Sequence, residues 1–212
     1  MDLKAYIDHT MLKPDAGFED IIKLCGEAQK YKFAAVCVNP CYIDLCSHLL
    51  KGTGVKVATV IGFPLGATLT EVKVFEAKEA ILRRADELDM VINIGAAKAG
   101  RWDYIQSEIE QVVTAAEKAV VKVIVETALL TNEEKGKACE AVLAGGAHFI
   151  KTSTGFGPGG ATIEDIKLFK AMVGERIGIK ASGGIRTREQ AEALIAAGAT
   201  RLGTSNGAAL LT

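Results

Sequence analysis

Eight times along this chain a short apolar run is followed by a longer stretch of helical periodicity, and this alternation restricts the fold more than any other feature. The runs fall at residues 6–10, 34–38, 56–61, 87–94, 121–125, 148–151, 178–181 and 201–203. Several are nearly continuous, as in Ala34-Ala35-Val36-Cys37-Val38, which suits strands buried on both faces. Between them apolar residues recur at helical spacing over residues 18–31, 43–50, 70–84, 103–116, 162–173 and 187–197, and a last helix is expected from 205 onward. Thr131-Asn132-Glu133-Glu134 is a capping-box start for one more helix, which Gly145-Gly146 ends. Parallel strands need such crossovers, and eight units close into an α/β architecture, a single-domain (β/α)8 TIM barrel over residues 1–212. A doubly wound open sheet is the alternative, but it usually manages with fewer strands.

Composition excludes several functions. A formal net charge of −1 gives no basic field for nucleic acid, and no run of about 18 apolar residues spans a bilayer. Residues 1–4 begin no secretory segment, so a cytoplasmic protein is expected. Five cysteines without a CxxC pair suggest reduced thiols rather than disulfides or zinc. No metal-ligand pattern occurs and no GxGxxG motif follows the first strand, so neither a metal nor another cofactor is expected.

Two strand ends echo each other. Residues 149–155 read FIKTSTG and residues 178–184 read GIKASGG. Each places a lysine, Lys151 or Lys180, at the end of a buried run and follows it with Ser, Thr and Gly. A lone strand-end lysine usually snorkels to water. Two in the same context point to a site: on adjoining strands about 4.8 Å apart, the charge of one makes charging the other costly. A neutral amine is a nucleophile for carbonyl carbon, though the echo does not say which lysine acts. In a barrel the polar residues at strand ends converge, here Asp8, Thr10, Cys37, Asn39, Asp89, Asn93 and Glu126. Asp89 reads either as a neutralising partner for a lysine or as a proton relay. Cys37 reads as a small buried apolar residue beside the site. Glycines 155, 183, 184 and 203 and the segment Thr204-Ser205-Asn206 form loops suited to a phosphate, which implies a phosphorylated small carbonyl compound as ligand.

The motifs Ile7-Asp8-His9-Thr10, Val36-Cys37-Val38-Asn39-Pro40, Gly62-Phe63-Pro64-Leu65-Gly66, Glu87-Leu88-Asp89-Met90-Val91-Ile92-Asn93, Lys151-Thr152-Ser153-Thr154-Gly155-Phe156, Lys180-Ala181-Ser182-Gly183-Gly184-Ile185-Arg186 and Gly203-Thr204-Ser205 occur in that order. Together they resemble the deoxyribose-phosphate aldolase family, class I lyases that join acetaldehyde to glyceraldehyde 3-phosphate. The resemblance covers nearly the whole chain. It implies Lys151 as the Schiff-base lysine, Lys180 as the second lysine and Asp89 as the relay carboxylate. Substrate and phosphate contacts would fall to Thr152, Gly155, Gly183, Gly184, Ser205 and Asn206, with Thr10 and Cys37 nearby. It also implies deoxyribonucleotide catabolism and leans toward a homodimer. Two departures stand out. Some relatives carry a lysine where Phe156 stands, and some end in a tail whose tyrosine assists proton transfer, whereas this chain stops at Thr212. The alternatives are another Schiff-base sugar-phosphate aldolase or transaldolase, and a phosphosugar-binding barrel without chemistry.

Overall fold

In the computed structural model residues 2–211 are described; Met1 and Thr212, the ends on which the leader and tail expectations rest, lie outside the described residues. Eight parallel strands, β1 (Ile7–Met11), β2 (Ala35–Val38), β3 (Lys56–Ile61), β4 (Glu87–Val91), β5 (Val120–Ile124), β6 (Phe149–Lys151), β7 (Gly178–Ser182) and β8 (Arg201–Thr204), close in sequence order into a barrel. The helices outside it are α1 (Phe18–Tyr31), α2 (Ile43–Leu49), α3 (Thr70–Leu82), α4 (Ile94–Lys98), α5 (Trp102–Ala115), α6 (Asn132–Ala144), α7 (Ile163–Val173) and α8 (Arg188–Ala196). The (β/α)8 expectation is met.

Two elements differ from the sequence reading. The fourth strand does not run to Ile94; it ends at Val91, and Asn93 turns the chain into α4 by accepting a hydrogen bond from the Ala96 N–H at 3.0 Å. After β8 the described chain forms a 3-10 turn, Gly207–Leu211, rather than an α-helix from 205. The capping box at Thr131 is present, with Glu134 N–H donating to Thr131 Oγ1 at 3.2 Å and Thr131 N–H donating to Glu134 Oε2 at 2.7 Å. Among the described residues no helix is long and apolar enough to cross a membrane.

Period-two alternation sorts the strand residues into two environments. Ile7, Val36, Leu88, Met90, Val121 and Ile150 pack outward against the helices in the main core. Leu12, Ala35, Cys37, Ala58 and Val60 form a second, smaller cluster. The intervening residues Asp8, Asp89, Lys122, Lys151 and Lys180 are buried and meet across the barrel. Asp8 on β1 and Lys122 on β5 are far apart around the sheet, so their contact at 3.7 Å runs through its interior.

The loop after β3 passes over the end of β4 at Gly66, whose φ is +68°. A Cβ there would lie 1.9 Å from the Ile92 carbonyl oxygen. Gly66→Ala is therefore expected to destabilise the fold by roughly 2–4 kcal/mol, lowering Tm by about 10 °C in a thermal melt. A Tm within about 2 °C of the parent would contradict this close approach.

Candidate active site

The register that pairs β6 with β7 sets Lys151 directly opposite Lys180, as the echo between their strands suggested. Both Nζ atoms lie 2.7 Å from one oxygen, Asp89 Oδ2. The other oxygen, Asp89 Oδ1, accepts from Lys122 Nζ at 2.9 Å. Lys180 also pairs with Asp8, and Lys122 with Glu87. Arg201 closes the network, 2.7 Å from Asp8 Oδ1 and 3.1 Å from Glu87 Oε2. Gly203 makes room for it: a Cβ there would stand 3.1 Å from Lys180 Cε.

Above these charges a cavity of about 440 Å³ opens at the C-terminal ends of the strands. Lys151 lines it, with Thr10, Gly155, Gly183, Gly184, Ser205 and Asn206, as expected from the sequence. Thr152 does not line it. Alternation turns this residue away from the face that carries Lys151, and its buried hydroxyl donates to the Ser182 carbonyl at 3.1 Å. Cys37 is buried in the smaller apolar cluster. Phe156 stands at the rim, its ring edge-on to Phe63 with centroids 5.4 Å apart. A larger depression, about 680 Å³, lies between α3 and α5 on the outer wall, away from every strand-end residue named here.

A family model for the DeoC/LacD family aldolase matches residues 3–211. The chain belongs to that family. The deoxyribose-phosphate aldolase of Thermococcus gammatolerans is 62% identical over 211 residues, covering 98% of this chain and 94% of the relative. The solved aldolase QR15 superposes with a TM-score of 0.96 at 45% identity, covering 99% of this chain and 94% of that one. A deoxyribose phosphate aldolase from Aeropyrum pernix, described as having a unique tetrameric structure, gives 0.93 at 34% identity, with 99% and 89% coverage.

In this DeoC/LacD aldolase the buried network decides which amine is displaced toward neutrality. Three carboxylates, Asp8, Glu87 and Asp89, meet four basic side chains, Lys122, Lys151, Lys180 and Arg201. In a low-dielectric interior the set is balanced when one of the four is neutral. Burial pushes the Lys151 amine down; Asp89 opposes this and Lys180 adds to it, and the net shift is downward. Burial also pushes Lys180 and Lys122 down, but the carboxylates around them outweigh it and hold both above the ordinary lysine range. Asp8 and Asp89 are likewise held well below the ordinary carboxylate range, the surrounding cations outweighing burial. Lys151 is thus the one basic group of the set moved toward neutrality. The Cys37 thiol is pushed up to about 11, by burial and then by Asp89, and stays protonated near neutral pH.

The sequence reading named Asp8 only as a strand-end residue and passed over Lys122, Glu87 and Arg201. Lys122 carried the same signal as the other two lysines, a charge within a buried run. Glu126, collected as a strand-end residue, braces the loop after β6: its Oε2 accepts from Thr154 Oγ1 at 2.5 Å and Thr154 N–H at 3.2 Å. A second buried pair, Lys73 with Glu108 at 2.7 Å, supports the end of β4. Lys73 Nζ donates to the Val91 carbonyl at 2.8 Å, and Glu108 Oε2 accepts from the Asn93 N–H at 3.2 Å.

Proposed function

We propose that this chain is a class I aldolase that reversibly cleaves 2-deoxy-D-ribose 5-phosphate to D-glyceraldehyde 3-phosphate and acetaldehyde, in deoxyribonucleotide catabolism. The observation that carries the reading is a buried amine, displaced toward neutrality, in a cavity lined by glycine-rich loops. The Lys151 amine adds to C1 of the open-chain sugar, and loss of water gives an iminium. The 3-hydroxyl proton passes to a water held by Asp89 and Lys180 as the C2–C3 bond breaks. The bonding electrons move into the iminium and leave an enamine on Lys151, while C3 becomes the aldehyde carbon of glyceraldehyde 3-phosphate. Protonation of the enamine at C2 and hydrolysis release acetaldehyde and restore the amine.

The positive charge of Lys180 serves twice, keeping its neighbour uncharged before attack and supplying a donor beside Asp89 afterwards. The phosphate is assigned to the loops after β6, β7 and β8, at Gly155, Gly183, Gly184, Ser205 and Asn206. Its binding energy orients C1 toward Lys151. An unphosphorylated 2-deoxyribose is expected to show kcat/KM lower by roughly a hundredfold or more in an acetaldehyde-release assay. Equal specificity constants for the two sugars would remove the phosphate assignment. Self-association, to a homodimer, is part of the same proposal, and equilibrium sedimentation distinguishes it from a monomer.

A further inference from the structure

We infer that Lys13, on the loop between β1 and α1, is a specificity-determining residue that contacts the phosphoryl group of the substrate. This rests on the sugar-phosphate reading above and says where the positive charge for that group comes from. A phosphate monoester is close to a dianion at neutral pH, and cationic donors grip it about twice as strongly as neutral ones. The barrel interior has none to spare. Lys122, Lys180 and Arg201 are each committed to buried carboxylates, and Lys151 is the amine displaced toward neutrality. On the side of the loop after β6, Phe156 presents a ring packed against Phe63.

Two other basic side chains line the cavity, Lys13 and Arg186. Neither side chain has an ion pair or hydrogen bond among the described residues. Arg186 is displayed at the start of α8, where its N–H is tied to Gln190 Oε1 at 2.9 Å. Lys13 is better prepared, because its backbone is pinned on both sides while its side chain is free. On one side Asn39 Nδ2 donates to the Leu12 carbonyl at 3.3 Å, and Leu12 is itself buried in the smaller apolar cluster. On the other, Tyr42 Oη donates to the Ala16 carbonyl at 2.5 Å, and Ala16 N–H closes a turn onto the Lys13 carbonyl at 3.2 Å. Pro14 stiffens the step between them. A fixed anchor lowers the ordering cost of engaging a ligand, and β1 adjoins β8, whose loop carries Ser205 and Asn206 into the same cavity.

The test compares Lys13→Met and Lys13→Arg with the parent on 2-deoxyribose 5-phosphate and on 2-deoxyribose, with inorganic phosphate as a competitive inhibitor. Lys13→Met is expected to lower kcat/KM for the phosphorylated sugar roughly tenfold to a hundredfold, mainly through KM. It is expected to weaken inhibition by phosphate in step and to leave the unphosphorylated sugar within about twofold. Lys13→Arg is expected to recover most of the loss. Equal losses on both sugars, or no change on either, would overturn the role of Lys13. A parent enzyme with no preference for the phosphorylated sugar would instead overturn the reading beneath it, so the two failures are distinguishable.

Discussion

Lys151→Met is expected to reduce kcat for cleavage of 2-deoxyribose 5-phosphate by a factor on the order of 10⁴ or more, with the fold intact. None of the buried groups beside it can substitute. Lys180 and Lys122 are held protonated by Asp8, Asp89 and Glu87, and the Cys37 thiol is protonated and buried in an apolar cluster. The substitution is also structurally mild, because methionine fills most of the lysine volume and a neutral side chain replaces one displaced toward neutrality. Circular dichroism and Tm should stay close to the parent. The covalent step has its own readout: borohydride reduction in the presence of acetaldehyde should modify the parent at Lys151 alone and leave the variant unmodified. Labelling of Lys180 in the parent would reverse the assignment of the two lysines, and a variant that kept turnover would remove the Schiff base altogether.

The barrel was legible because burial on both faces makes each strand a run and each helix a period, and these signals are redundant over eight units. What escaped was local. Helix α4 has five residues, too short for a 3.6-residue period to show. Ile92 and Ile94 flank Asn93 and read as more strand, although Asn93 is the cap that ends it. The site was legible at Lys151, Lys180 and Asp89, where a charge interrupts or ends an apolar run. Lys122 met the same criterion in Val121-Lys122-Val123 but lacked the hydroxyl and glycine residues that follow the other two lysines. Glu87 and Arg201 open their strands, where a charge ordinarily means exposure to water; here each reaches inward to an opposite charge. Lys73 and Glu108 are hidden for a related reason. Charged residues on amphipathic helices read as the solvated face, and only the fold brings this pair together beneath the end of β4.

Lys180→Met and Asp89→Asn are expected to move the acid limb of the pH–rate profile in opposite directions, which a merely structural role for either residue would not do. The sign follows from the charge balance. In the parent, three carboxylates are matched by Lys122, Lys180 and Arg201, so a proton on Lys151 is the excess charge. Remove Lys180, and the same carboxylates are balanced only when Lys151 carries its proton. Its pKa then rises, and the limb for kcat/KM moves alkaline by roughly one to three pH units. On the acid side of the limb each unit removes about tenfold of the reactive amine, and with the lost donor beside Asp89 the total deficit there is on the order of 10³. Raising the pH should recover the part due to protonation. Asp89→Asn has the opposite effect on Lys151: two carboxylates then face three fixed cations, so a fourth charge is less favourable and the limb moves acid. Turnover still falls, because the carboxylate that holds the relaying water is gone. Limbs that shift the same way in both variants, or stay fixed in both, would show that the neutrality of Lys151 does not depend on its charged neighbours.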